Sequence, residues 1–336
     1  GGARGQAWPR GDDGRGICHV VLPQQGHLRP GLFCVGGDSH LPTGGAFGAY
    51  MFGIGATEML GVVVTGEIWV RVPQTIRMNW RGQLAAGVSA KDMMLHMTGR
   101  FGMNGGGYQA VEFAGSAVRA LAMAERMTLS NMSAELGAQV GLVAPDEVTR
   151  AWLQTVGVSD CDSAHWQSDA GASATEHEFD AATLSPQVAA PHSPANTKGV
   201  EAFDGIVVNV AYIGACTGAK LEDLQAAASV LRGRQVAKGV RLMVAPASRK
   251  DQAAAEQQGV MQILRAAGAE VLPNACGACA GYGGSIPDGA TVISSTARNF
   301  KGRMGSDSAQ VYLAAPYKGA ASALRGRVAA QRAGLA

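Results

Sequence analysis

Residues 206–218, IVVNVAYIGACTG, combine an apolar run with a Gly/Ala-rich turn that contains Cys216. The run predicts a β-strand, and the pattern after it predicts a helix over 220–231 and a second strand at VRLMVAP. A further helix over 250–267 and a third strand near 269–273 complete a βαβαβ series. Strands that alternate with helices form parallel sheets with right-handed crossovers. This part of the chain is therefore expected to adopt an α/β fold.

Two more cysteines, Cys276 and Cys279, follow the third predicted strand in the segment NACGACAG. Cys216 follows the first strand, and ligands of parallel sheets collect beyond the carboxyl ends of the strands. The three thiols are therefore expected to converge. An iron–sulfur cluster normally takes four protein thiolates. Three would leave one iron open, and an open metal position is what Lewis-acid catalysis requires.

A Cys-x-x-Cys pair also fits half of a zinc site or a redox pair. The sequence has no second Cys-x-x-Cys and no pair of histidines near this one, which argues against structural zinc. The remaining cysteines, Cys18, Cys34 and Cys161, are expected not to join the group. A zinc or redox protein stays an alternative to an iron–sulfur enzyme.

The composition excludes several classes of protein. The net charge is +2 and 16% of the residues are charged, so the sequence lacks the excess of basic residues that is typical of nucleic-acid-binding proteins. Six unevenly spaced cysteines do not make the disulfide framework of a small secreted protein. The apolar runs are too short to span a membrane. We therefore expect a cytoplasmic protein, and 336 residues suffice for two or three domains.

The first residues, GGARGQAWPRGDDGRG, are polar and lack an initiator methionine. They predict that the chain begins inside a longer gene product. Residues 17–36 are expected to form two short strands around a turn. Ser89 and Asp92 have the spacing of a helix N-cap. The apolar positions of that helix are expected to fill the core: Met93, Met94 and Met97.

The stretch before the α/β unit predicts more helix and then a long connection. A helical pattern covers roughly 116–126, and Asn131 is expected to cap another helix that runs through Glu135. Residues 156–204 are rich in Ser, Ala, Asp and Pro and have weak periodicity. They predict an irregular connection between domains, partly ordered against the rest of the chain.

Polar residues that suit proton transfer lie in the segment GGDSH, which contains Asp38, Ser39 and His40. The tripeptide fits an ordinary turn. It also fits a carboxylate that orients a histidine and tunes its pKa for acid–base catalysis. His19 and Glu135 are further candidates for such pairs.

Two arginines lie in the segment ARNFKGR, after a predicted strand: Arg298 and Arg303. Exposed surface arginines would need no further explanation. At the mouth of a site, however, two guanidiniums would suit a di- or tricarboxylate, because arginine stays charged and binds carboxylate through two hydrogen bonds.

Six segments in order, GICHVVLP, GGDSH, NMSAELGA, YIGACTG, NACGACAG and ARNFKGR, resemble the aconitase superfamily. The resemblance is strongest to the group of 3-isopropylmalate dehydratase large subunits and their homoaconitase-like relatives. It implies aconitase-like α/β/α domains with mostly parallel sheets. The implied domains are the remainder of a first domain (1–73), a second (74–200, with the connection 156–204) and a third that carries the cysteines (201–336).

The resemblance implies that Cys216, Cys276 and Cys279 hold a 4Fe–4S cluster whose open iron binds substrate. It also implies two carboxylate–histidine pairs, Asp38 with His19 and Glu135 with His40. Substrate contacts are implied for Ser39, Arg298 and Arg303. Asn131 is implied to lie near the cluster. The implied reaction is reversible dehydration and hydration of a hydroxy-dicarboxylic acid such as 3-isopropylmalate.

Three departures from the family pattern affect this interpretation. The N-terminal region of the family, with another Asp-His pair, is expected before residue 1. Ala297 stands where the family often has Asn, and Leu41 stands where Thr is usual. The sequence also lacks the swivelling domain of single-chain aconitases, which implies a separate small subunit.

The alternatives to a 3-isopropylmalate dehydratase are a homoaconitase, a methylmalate or dimethylmalate dehydratase, or an inactive truncated protein that binds a cluster.

Overall fold

The computed structural model describes residues 14–159, 161, 163, 165–282 and 286–330. None of the helices in these residues is both long enough and apolar enough to cross a membrane. The helices are α1 (Cys18–Gln24), α2 (Ala56–Thr65), α3 (Ala90–Phe101), α4 (Ser116–Arg119), α5 (Met123–Met132), α6 (Glu147–Thr155), α7 (Leu221–Leu231), α8 (Arg249–Gln257), α9 (Val260–Ala266) and α10 (Pro316–Arg325). The strands are β1 (Phe33–Gly36), β2 (Tyr50–Gly53), β3 (Thr75–Arg81), β4 (Ala110–Ala114), β5 (Val140–Val143), β6 (Thr175–Asp180), β7 (Gln187–Ala189), β8 (Thr197–Gly199), β9 (Val210–Ile213), β10 (Arg241–Val244), β11 (Ala269–Val271), β12 (Thr291–Ser294) and β13 (Gln310–Leu313).

These strands form three sheets, and most of their pairings are parallel. β1 and β2 form a two-stranded sheet, and a four-stranded sheet has the order β5-β4-β3-β6. The third sheet has the order β11-β10-β9-β12-β13-β7-β8, in which the pairings of β7 with β13 and with β8 are antiparallel. The predicted α/β class with mostly parallel sheets is therefore confirmed.

The predicted βαβαβ series lies in the third sheet, where β9, β10 and β11 are neighbours in parallel. All four residues of β9 are buried, as expected for a strand inside a parallel sheet with both faces covered. The helix predicted over 250–267 is two helices, α8 and α9. Gly259 separates them, because its left-handed φ of 71° interrupts the helical backbone.

The predicted start of α3 is confirmed. Asp92 accepts hydrogen bonds from the backbone N–H and the hydroxyl of Ser89, both at 2.9 Å. The three methionines of the helix have no exposed surface, and burial of each side chain stabilises the fold by roughly 1.5–3 kcal/mol. Asp92 also accepts from the Gln187 backbone N–H at 2.6 Å and pairs with Lys318 of α10. Through Asp92, α3 is joined to the seven-stranded sheet.

Two predictions of local structure are wrong. The first strand predicted within 17–36 is helix α1, although the second is present as β1. The run HVVLP lies in α1, and Ile17, the residue before that helix, donates its backbone N–H to the carbonyl of the distant Ala247 at 2.9 Å. Asn131 does not cap a helix. It lies near the end of α5 and is fully buried, and the chain after it turns into β5.

The stretch 156–204 is more regular than predicted, because it contains β6, β7 and β8. β6 pairs with β3 of the four-stranded sheet, whereas β7 joins β13 of the seven-stranded sheet. The sheet of the predicted third domain therefore takes strands from before residue 201. The domain boundaries themselves stay a prediction. Residues 1–13 of the first predicted domain and residues 331–336 of the third lie outside the described residues.

Candidate active site

The predicted site residues come from several elements and lie mostly in segments that follow strands. Asp38, Ser39 and His40 follow β1, and Arg298 follows β12. Cys216 lies beyond β9, and Cys276 and Cys279 lie beyond β11. His19 lies in α1, and Glu135 lies in the turn after α5. This placement agrees with the rule that sites in α/β sheets form beyond the carboxyl ends of strands.

Asp38 lies between the two histidines. Its Oδ1 is 3.0 Å from His19 Nε2 and accepts the His40 backbone N–H at 2.7 Å. Hydrogen bonds from His19 and His40 hold the pKa of Asp38 well below its usual range. Burial opposes protonation of His19, but the bonds to Asp38 and Cys18 raise its pKa to about 9. The pair is therefore an imidazolium and a carboxylate at neutral pH.

A second carboxylate–histidine pair lies next to the first. His40 Nε2 is 3.2 Å from Oε1 of Glu135, whose side chain has no exposed surface. Arg298 Nε donates to the same oxygen at 2.5 Å, and its Nη1 donates to Ser39 Oγ at 2.9 Å. Burial favours a neutral Glu135, but the charges of His40 and Arg298 outweigh it and lower the pKa of Glu135. The four residues form one hydrogen-bonded chain.

The three predicted thiols lie within electrostatic reach of one another. The pKa of Cys216 is raised to about 12, first by burial and then by the charge of Cys279. The pKa of Cys276 is raised by its hydrogen bond to Cys279 and by burial, and the charge of Cys216 contributes. The same bond lowers the pKa of Cys279 to about 6. Burial acts in the opposite direction, and the positive charge of Arg303 lowers the pKa further. Cys216 is buried, whereas Cys276 is exposed.

The charges of the acid–base pairs act on the thiols. The charge of Asp38 acts on Cys216 and on Cys276, and that of His40 acts on Cys279. Asn131 Nδ2 donates to Cys216 Sγ at 3.1 Å and to Thr43 Oγ1 at 2.7 Å.

Three buried polar atoms of this site have no hydrogen-bond partner among the described residues: Asn131 Oδ1, Glu135 Oε2 and Arg303 Nε. Buried polar groups are nearly always hydrogen-bonded, and Arg303 Nε is a donor that a thiolate or a cluster sulfide would accept, whereas Asn131 Oδ1 and Glu135 Oε2 are acceptors that need a donor. Thiolates are the protein ligands of iron–sulfur clusters. The residues present therefore fit the cluster that the family pattern implies.

Ligand atoms of His19, Asp38 and His40 also lie within 4.8 Å of one another, a spacing that would suit a single metal ion. Asp38 Oδ1 already receives hydrogen bonds from His19 and from the His40 backbone. The geometry therefore favours a proton-transfer group over a metal site at this position.

Sequence reasoning missed three neighbours of the site. Cys18 Sγ lies 3.2 Å from His19 Nδ1, on the side opposite Asp38. Thr43 supports Asn131, and the buried Lys91 donates to Thr217, the residue after Cys216. Cys18 is adjacent to His19 in sequence, which was a usable signal. Nothing in the local pattern around Lys91 indicates its burial.

The His19–Asp38 pair is expected to make stability depend on pH between about 6.5 and 9. Because the folded pKa of His19 is raised from 6.5 to about 9, its contribution is complete below the lower value and is lost as the pH rises through the upper one. Over this range the wild type should lose at most about 3 kcal/mol more unfolding free energy than Asp38→Asn, since one pKa unit corresponds to about 1.4 kcal/mol. Urea denaturation of both proteins at the two ends of the range measures this, and equal losses would contradict the assigned pair.

A family model described as the aconitase family (aconitate hydratase) matches residues 5–326. The chain is 43% identical over 314 residues to 3-isopropylmalate dehydratase large subunit 1 of Methanopyrus kandleri, covering 93% of this chain and 75% of the relative. It is 45% identical over 316 residues to a probable methanogen homoaconitase large subunit of Methanosarcina mazei, covering 94% of this chain and 80% of the relative.

The fold is also similar to the crystal structure of the holo-form of Thermococcus kodakaraensis aconitase X. The TM-score is 0.50 at 13% identity, and the match covers 84% of this chain and 67% of that chain. At this identity the likeness shows the fold alone. The family model and the relatives above 40% identity show more: this chain belongs to the aconitase family and is a hydro-lyase.

Proposed function

We propose that this chain is the large subunit of a dehydratase that acts on a hydroxy-dicarboxylic acid such as 3-isopropylmalate. Its cofactor would be a 4Fe–4S cluster held by Cys216, Cys276 and Cys279. What supports the proposal is that the charges of Asp38 and His40, members of two carboxylate–histidine pairs, act on the three thiols.

When bound, the cluster supplies an open iron that polarises the hydroxyl and a carboxylate of the substrate as a Lewis acid. The chain's own residues bind the substrate and move its protons. Arg298 and Arg303 would hold carboxylate, because a guanidinium makes two parallel hydrogen bonds to it. Ser39, bonded to Arg298, would complete that contact.

The two carboxylate–histidine pairs would divide the acid–base work. His19 is held as an imidazolium by Asp38, so it can donate a proton during loss of water and recover it on hydration. His40 is oriented by the buried carboxylate of Glu135, which also aims Arg298. Asn131 would keep Cys216 in position through its bond to the sulfur.

The relatives' names bear on substrate and partner. Those above 40% identity include a 3-isopropylmalate dehydratase and a probable homoaconitase, and both are named large subunits. We therefore propose a separate small subunit for this chain and 3-isopropylmalate as its first substrate to test. Homocitrate is the alternative, because both substrates present a hydroxyl between carboxylates to the same groups.

Anaerobic reconstitution with iron and sulfide, followed by an assay with the small subunit, tests this function. We expect a brown protein with about four irons and acid-labile sulfide per chain, and turnover of 3-isopropylmalate above that of homocitrate. Faster turnover of homocitrate would replace the substrate but keep the enzyme class. Uptake of zinc without sulfide would favour the zinc or redox alternative.

A further inference from the structure

Lys91 is a buried cation that the proposed reaction does not use. It is the second residue of α3 and is 2% exposed. Two effects disfavour a charge at this place. Burial removes the ammonium from water, and the N-terminus of a helix carries a partial positive charge of its own. A fold that retains such a cation normally offers it a compensating negative charge.

The hydrogen bonds of Lys91 do not supply that charge. Its Nζ donates to Thr217 Oγ1 at 3.3 Å, to the Thr296 carbonyl at 2.7 Å and to the Ser295 carbonyl. All three acceptors are neutral. Within the described ranges no carboxylate lies at ion-pair distance from Nζ, since the adjacent Asp92 pairs with Lys318 instead.

These acceptors place the ammonium against the loops that carry Cys216 and Arg298. Thr217 follows Cys216 in the loop after β9, and Ser295 and Thr296 precede Arg298 in the loop after β12. Burial and the charge of Lys220 lower the pKa of Lys91 to about 7, while negative charges at Asp223, Cys216 and Cys279 act in the opposite direction. Lys91 therefore links the two loops and lies within the electric field of two proposed cluster ligands.

We infer that Lys91 is a positioning residue whose ammonium provides a countercharge to a cluster held by the three thiols. The inference rests on the proposed function. A 4Fe–4S cluster with three thiolates carries one negative charge when oxidised and two when reduced, so a nearby cation stabilises the reduced form more. The same ammonium holds the Cys216 loop against the Arg298 loop, which keeps thiol and guanidinium in one arrangement.

The test is Lys91→Gln, which keeps an N–H donor for the carbonyls and removes the charge. Wild type and variant are reconstituted anaerobically with iron and sulfide. The cluster is then titrated with dithionite, which supplies the electron, and followed by electron paramagnetic resonance. We expect the reduction potential of the variant to fall by about 59 mV or more, which is a tenfold change in a one-electron equilibrium constant.

Lys318→Gln is the matched control, because Lys318 is also buried but pairs with Asp92. We expect this control to lose stability without a shift in potential. Equal potentials in wild type and Lys91→Gln would overturn the inference and leave the cluster proposal standing. A wild-type chain that takes up no cluster would overturn both. If Lys91→Gln does not fold, the neutral variant Lys91→Met takes its place, with the same fall in potential expected and an unchanged potential overturning the inference.

Discussion

Serine in place of Cys216 is expected to abolish cluster binding and dehydratase activity together. Cys216 is the buried member of the three proposed ligands, and its sulfur accepts a hydrogen bond from Asn131. A serine hydroxyl ionises far less readily than a thiol and is a poor ligand for iron–sulfur clusters, which are held by thiolates. Iron and acid-labile sulfide, measured after anaerobic reconstitution, should both fall to a small fraction of the wild-type content.

Cys34→Ser is the control for this change. Cys34 lies in β1, and burial raises the pKa of its thiol, so it is expected to remain unreactive. The control should load iron and sulfide as the wild type does. Equal loading of Cys216→Ser and wild type would refute the three-thiol site.

Glu135→Gln is expected to lower the turnover rate by about a hundredfold to ten-thousandfold, the range typical of positioned acid–base groups. The amide keeps the size of the side chain but removes the charge that faces His40 and Arg298. His40 would lose its orienting carboxylate, and Arg298 would lose the partner that aims it. Loss of one partner of a buried ion pair also costs about 3–5 kcal/mol of stability. Steady-state kinetics of the loaded enzyme and urea denaturation measure the two effects.

Glu112→Gln serves as the comparison, because Glu112 lies in β4 and pairs with Arg77. It should retain nearly wild-type turnover. The cluster content of Glu135→Gln should equal that of the wild type, since Glu135 is not a proposed ligand. Unchanged turnover in Glu135→Gln would remove Glu135 and its pairing with His40 from the mechanism.

The sequence predicted strands β9, β10 and β11 of the third sheet well, and it predicted the first elements and strands β7 and β8 poorly. β9, β10 and β11 are apolar runs separated by helical patterns of ordinary length, so local periodicity identifies them. The segment HVVLP is too short for periodicity to decide, and its adjacent valines favour a strand locally. In the structure the segment is part of helix α1, and the residue before that helix, Ile17, is hydrogen-bonded to the distant Ala247. A local pattern contains no information on such a partner.

The site residues, too, were only partly predictable from the sequence. The sequence shows that Asp38 and His40 are only two residues apart. It also shows that each of the three cysteines comes after a predicted strand. The pairing of His19 with Asp38 and of His40 with Glu135 was available only from the resemblance, because 19 and 95 residues separate the partners. Lys91 went unnoticed because lysine at a helix start normally faces water, and its burial results from packing of α3 on loops 126 residues away and more.

In the proposed cluster site, the spacing of the three thiols along the chain makes assembly of the ligand set depend on folding. Cys276 and Cys279 are near neighbours in sequence, whereas Cys216 lies far upstream and is buried once the sheet has formed. A newly made chain therefore presents a two-thiol chelate first, and two thiolates readily take zinc or copper(I). Cys216 comes near this pair only when the chain has folded. In the proposed site, discrimination between an iron–sulfur cluster and a single soft ion would thus depend on folding, and zinc bound early by Cys276 and Cys279 would have to leave before a cluster forms.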